Sequence, residues 1–102
     1  MKNKEIRVVV KQPGQPPQVQ MTPDTLSAFQ KIVGGDIEHV IWDELDLWCN
    51  EEGKLNELQA NLFEAVPNDI VVGTVFVSKS NEEGESVSLT EEEAANVIKN
   101  LR

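Results

Sequence analysis

A chain of 102 residues, 39% of them hydrophobic and 26% charged, has room for one domain with a modest core and is not composed like a disordered segment. Eighteen acidic residues against nine basic ones leave a net charge of −9, which opposes direct binding to nucleic-acid phosphates. The longest apolar runs, such as Val8-Val9-Val10 and Ile70-Val71-Val72, fall far short of the ~20 residues a membrane-spanning helix needs.

No apolar stretch follows the N-terminal lysines as it would in a secretory signal, so a cytoplasmic location is expected. The single cysteine, Cys49, cannot form an internal disulfide, which fits a reducing compartment. The charge is uneven. Lys2, Lys4, Arg7, Lys11 and Lys31 outnumber Glu5 and Asp24 in the first third, and acidic residues dominate from Asp36 onward. Such a surface ordinarily keeps a protein soluble, and its density is low for mimicry of a polyanion.

In chain order, "EIRVVVK" (5–11) reads as a strand and "QPGQPPQ" (12–18) as a break, because Pro lacks the ladder N–H. "QVQM" (18–21) alternates and returns as a short second strand at a sheet edge. A helix is expected next, with Thr22 as N-cap, Pro23 at the first position, Asp24 at the positive end, and Leu26, Phe29, Ile32 and Val33 on one face. Gly34-Gly35 stops it.

"DIEHVIW" (36–42) reads as a strand, Asp43-Glu44 as a turn, and "LDLWCN" (45–50) as the returning strand with Leu45, Leu47 and Cys49 on one face. Glu51-Glu52-Gly53-Lys54 is a second turn, with a positive φ expected at Gly53. Leu55, Leu58 and Leu62 have 3–4 spacing and suggest a short helix. "IVVGTVFVS" (70–78) is a strand that Gly73 interrupts, by a bulge or a close backbone approach. "SNEEGES" (80–86) reads as a solvated loop. A second helix follows, with the Thr90/Glu93 capping box and an apolar face of Ala94, Val97, Ile98 and Leu101. The expected fold is a single α+β domain with a mixed or mostly antiparallel sheet of about five strands and two main helices, both on one face as the economical arrangement.

No residue set forms a catalytic signature. His39 is the only histidine and is expected at a surface or edge, so no histidine pair offers a metal site. Cys49 has acidic sequence neighbours and the phase of Leu45 and Leu47, which makes it a core residue rather than a nucleophile. The string Asn-Glu-Glu-Gly occurs twice, at 50–53 and 81–84. Adjacent carboxylates in a wet turn are poorly placed for acid/base work, and the spacing is not that of a calcium loop. The second copy is expected to be only a loop. The first follows a tryptophan-bearing strand, so Asn50, Glu51, Glu52, Gly53 and Lys54, with Trp48, Asn61 and Thr74, form a candidate recognition site that competes with a purely structural turn. Trp42 and Trp48 are equally able to stack a ligand or to fill a core. No cofactor is called for.

The succession "PGQPP", "LSAFQKIVGGDIEHV", "CNEEGKLNELQAN", "DIVVGTVFV" and "SLTEEEAANVI" resembles a family of small proteins from phages and mobile genetic elements that is known only as a domain of unknown function. The resemblance spans about Ile6 to Ile98, and its most specific blocks are Val33-Gly34-Gly35 with Ile37-Glu38, and Asn50 through Leu55 with Asn61. That family often carries a proline where this chain has Gln59 or Ala60. The resemblance implies a compact accessory protein without an enzymatic role.

Three functions are open to such a chain. The first is a non-enzymatic binder that blocks or sequesters a host protein, with an anti-defence role in view. The second is a binder of a small polar ligand, such as a nucleotide signal, at the Asn50–Lys54 corner. The third and weakest is a minimal hydrolase using Glu51 or Glu52. No nucleic-acid or membrane partner is expected, and assembly with further copies of the chain stays open.

Overall fold

The computed structural model describes residues 4–102. Strand β1 (Glu5–Lys11) buries Ile6, Val8 and Val10 on one face and Val9 on the other, so both faces of the sheet need cover. After the proline-rich loop, β2 (Gln18–Pro23) returns antiparallel beside it, with Val9 opposite Val19. Its exposed outer positions fit an edge strand.

The expected start of the first helix is corrected. Thr22 does not cap it. Thr22 is buried and pairs with Ile6, and Asp24 N–H donates to the Lys4 carbonyl at 2.8 Å, so strand pairing continues past Pro23. Thr25 is the N-cap, its hydroxyl accepting from Ala28 N–H at 3.1 Å, and α1 runs Leu26–Val33. Gly34, at φ 81°, closes it in the left-handed conformation that costs glycine little.

β3 (Ile37–Trp42) and β4 (Leu45–Asn50) form a hairpin whose two-residue turn holds Asp43 at φ 51° and Glu44 at φ 63°. Two left-handed residues give the turn a twist that matches paired strands. The register sets Trp42 opposite Leu45 and His39 opposite Trp48. Trp42 therefore packs on the Leu47 face and Trp48 on the Phe29 face, so the two indoles do not share a surface.

The helix expected over 55–62 is absent. The segment is a turn followed by β5 (Ala60–Leu62), which pairs with β6 (Val71–Val72) in a small second sheet. Leu62 is buried while Leu55 is exposed, so the leucines do not share a face. Gly73, at φ 78°, separates β6 from β7 (Val75–Ser80), and a Cβ there would lie 2.7 Å from Leu58 Cδ1. The close approach expected at this glycine is present. "SNEEGES" is the tip of a hairpin, since β8 (Ser86–Val87) pairs with the end of β7. Helix α2 (Glu91–Asn100) begins with the expected capping box: Glu93 N–H donates to the Thr90 hydroxyl at 3.0 Å and Thr90 N–H to Glu93 Oε1 at 2.9 Å.

The main sheet runs β2-β1-β7-β4-β3, with β8 continuing beside β7, and every pairing is antiparallel. Helix α1 covers Ile6, Val8, Val10 and Phe76; α2 and the small sheet cover Val9, Leu47, Val75 and Val77. The helices thus lie on opposite faces rather than on one. The reason is visible in β1 and β7, which carry large apolar side chains on both sides. The whole is a single α+β domain, and among the described residues no helix is long and apolar enough to cross a membrane.

Candidate functional site

The Asn50–Lys54 corner is built around one amide. Asn50, at the end of β4, donates from Nδ2 to the Val33 carbonyl at 3.2 Å, and its Oδ1 accepts from Glu52 N–H at 2.8 Å. It thereby ties the end of α1 to the turn. Glu51 N–H donates to the Asp36 carbonyl at 2.8 Å, and the Glu51 and Glu52 carboxylates are exposed. Gly53 does not take the positive φ expected of it; the left-handed residue of this turn is Glu57, at φ 56°. Glycine is needed at 53 for space, because a Cβ would lie 2.8 Å from Val72 Cγ2.

Lys54 Nζ hydrogen-bonds Asp69 Oδ1 across the corner. That bond first, and Ile70 N–H second, hold the Asp69 carboxyl below the usual carboxylate range. Asn50, Glu51, Gly53 and Lys54 line a hollow of about 260 Å³ together with Cys49 and Asp69. Burial foremost, then the charges of Glu38 and Asp69, pushes the Cys49 thiol up to about 11, so it stays protonated at neutral pH. Next to this hollow, Lys54, Phe63, Asn68, Asp69 and Ile70 line a second, open depression. Exposed apolar side chains border the two together: Leu55, 77% exposed, lines the corner hollow, Phe63, 62% exposed, lines the depression, and Ile70, 42% exposed, lines both.

The remaining candidates lie elsewhere. Asn61 is buried and does not line the corner hollow. Its Nδ2 donates to the carbonyls of Lys11 at 2.9 Å and Gly73 at 2.8 Å, and its Oδ1 accepts from Lys11 Nζ at 2.6 Å. Burial lowers the Lys11 pKa there. Thr74 is half-buried just beyond, in the link to β7. Trp48 is on the opposite face of the sheet, donating from Nε1 to Ser78 Oγ at 2.8 Å.

A second constellation escaped the sequence reading. His39 Nε2 and Asp46 Oδ1 are 2.7 Å apart, and the imidazole leans on Trp48 with ring centres 4.8 Å apart. These residues, with Leu26, Phe29 and Ile37, line a groove of about 420 Å³ on the α1 face, walled on its far side by Ser80, Gly84 and Ser86. The signal was available. The tight turn at Asp43-Glu44 fixes a register in which Asp46 is the diagonal neighbour of His39.

No curated protein and no solved structure matches the chain. A family model matches residues 6–102. The chain belongs to the family described as Domain of unknown function (DUF3846).

Proposed function

We propose that this is a small non-enzymatic binding protein that captures a host protein through the Leu55/Phe63/Ile70 rim and so blocks or sequesters it. In this proposal it is the product of a phage or mobile element and works in the cytoplasm. The observation that carries it is the set of exposed apolar side chains Leu55, Phe63 and Ile70 beside the Lys54–Asp69 pair, since large exposed apolar residues bordered by polar ones mark protein-binding patches. The use of the Asn50 amide within the fold favours a protein contact made by the rim over recognition by the Asn50 side chain itself.

A photo-crosslinking residue placed at position 55, in cells that carry the gene, should trap one predominant protein. The same group at position 82 should not, and Phe63→Glu should abolish the adduct. Equal trapping from both positions would sink the assignment of this face. The corner hollow favours a second reading, a small polar ligand held beside Lys54. A ligand retained in native mass spectrometry and lost in Lys54→Ala would establish that reading instead.

A further inference from the structure

The groove on the α1 face is separate from the corner and has a different chemistry. Its floor is aromatic. Trp48 lies 6.4 Å from Phe29 between ring centres, at an interplanar angle of 27°, and the half-buried indole lines the groove together with Leu26, Phe29 and Ile37. Its one carboxylate, Asp46, has only 15% of its side chain exposed and is fixed by His39. Among the described residues, no Lys or Arg lines it. The Lys4 ammonium, beside the groove-lining Ser86, is engaged by the Ser86 carbonyl at 2.7 Å and by Asp24 at 3.5 Å.

The far wall belongs to an acidic segment of the chain. It is the β7–β8 hairpin tip, the second Asn-Glu-Glu-Gly string, which carries Glu82, Glu83 and Glu85. Asn81 Oδ1 accepts from Glu83 N–H at 3.0 Å and Glu85 N–H at 2.9 Å, so the loop is an ordered wall rather than a loose one. An anionic ligand would meet the Asp46 carboxylate here, on a chain of net charge −9.

We infer that this groove is a binding site for an arginine side chain presented by a partner polypeptide. A guanidinium is planar, stacks on an indole face, and presents N–H donors in a fork that suits a carboxylate. Trp48 and Asp46 supply that pair of surfaces, and Leu26, Phe29 and Ile37 accept the apolar stem. Lysine fits less well, because its compact, strongly hydrated ammonium gains less from the flat indole. The inference does not rest on the Leu55/Phe63/Ile70 rim, which is built from other segments of the chain.

The test uses the full chain in a Trp42→Phe background, so that Trp48 is the only fluorophore of its kind. Titration with acetyl-Gly-Arg-Gly-amide should change its emission saturably. The lysine peptide should bind at least about threefold more weakly and the isosteric, uncharged citrulline peptide at least about tenfold more weakly. Asp46→Asn should weaken arginine binding by about tenfold, and Ser80→Lys, which places a competing cation in the groove from an exposed position, should abolish it. Phe63→Glu should leave the titration unchanged. A linear response, equal responses to the three peptides, or full binding by Ser80→Lys would overturn the inference. So would saturation by adenosine with no response to the arginine peptide, which would reassign the aromatic floor to a nucleobase.

Discussion

Asn61 and Asn50 illustrate why side-chain identity alone misplaces a site. Both are amides beside charged residues, and both are consumed by backbone groups that a long-range fold brings to them: Lys11 and Gly73 for Asn61, Val33 for Asn50. Only the turn-local half of this, the Asn50 bond to Glu52 N–H, was within reach of sequence reasoning. Removing a buried amide leaves its partners desolvated and unpaired. Asn61→Ala should therefore cost about 2 kcal/mol, because it leaves the Lys11 and Gly73 carbonyls without this donor. Lys54→Ala, which breaks an exposed ion pair, should cost less than about 1 kcal/mol. Urea denaturation of the two variants measures the contrast. Equal midpoints would mean that the Asn61 amide is dispensable to the fold and free for a ligand. Cys49 shows the opposite case: its phase with Leu45 and Leu47 was enough to place it in the core.

At the scale of elements, legibility followed how local each determinant is. The β3–β4 hairpin and α2 were readable because their turn, alternation and capping box lie within a few residues of each other. The start of α1 was not. Thr22 and Thr25 both suit an N-cap, and the choice fell to pairing with Ile6, a partner distant in sequence. The 55–62 segment failed similarly, its leucine spacing overridden by the pairing of Ala60 with Val72. The α2 cap carries a pH prediction. Hydrogen bonds from Thr90 N–H, foremost, and from Lys79 hold the Glu93 carboxyl below its ordinary 4.5. A carboxyl depressed in the folded state contributes stability that is complete above its unfolded value and is lost as pH falls through the folded one. Stability should thus drop below about pH 4.5 through this group, whereas Glu93→Gln should lack that part of the drop. Thermal unfolding across pH 6 to 3, with both proteins, reads the difference (a range of about three units around the carboxylate pKa). Identical slopes would remove Glu93 from the acid response.

For the whole molecule, the dominant electrostatic fact is a net charge of −9 on a domain whose ion pairs lie at its surface. Like-charge repulsion opposes compaction more than exposed pairs offset it. Raising ionic strength from about 0.02 to about 0.5 M should raise the melting temperature by a few degrees, about 1 kcal/mol of added stability. A fall on adding salt would mean that the surface pairs outweigh the repulsion. Shape imposes a second demand, through β7. It is the last long strand in the chain, yet it occupies the middle of the main sheet between β1 and β4. As the polypeptide leaves the ribosome, two hairpins emerge with unfilled inner edges, and nothing local can satisfy them until residues 75–80 arrive. Biosynthesis therefore leaves a gap in time during which those edges are adhesive, to each other and to a neighbouring nascent chain. A translation product that stops short of Val75 is not a smaller version of this protein but a pair of unclosed seams.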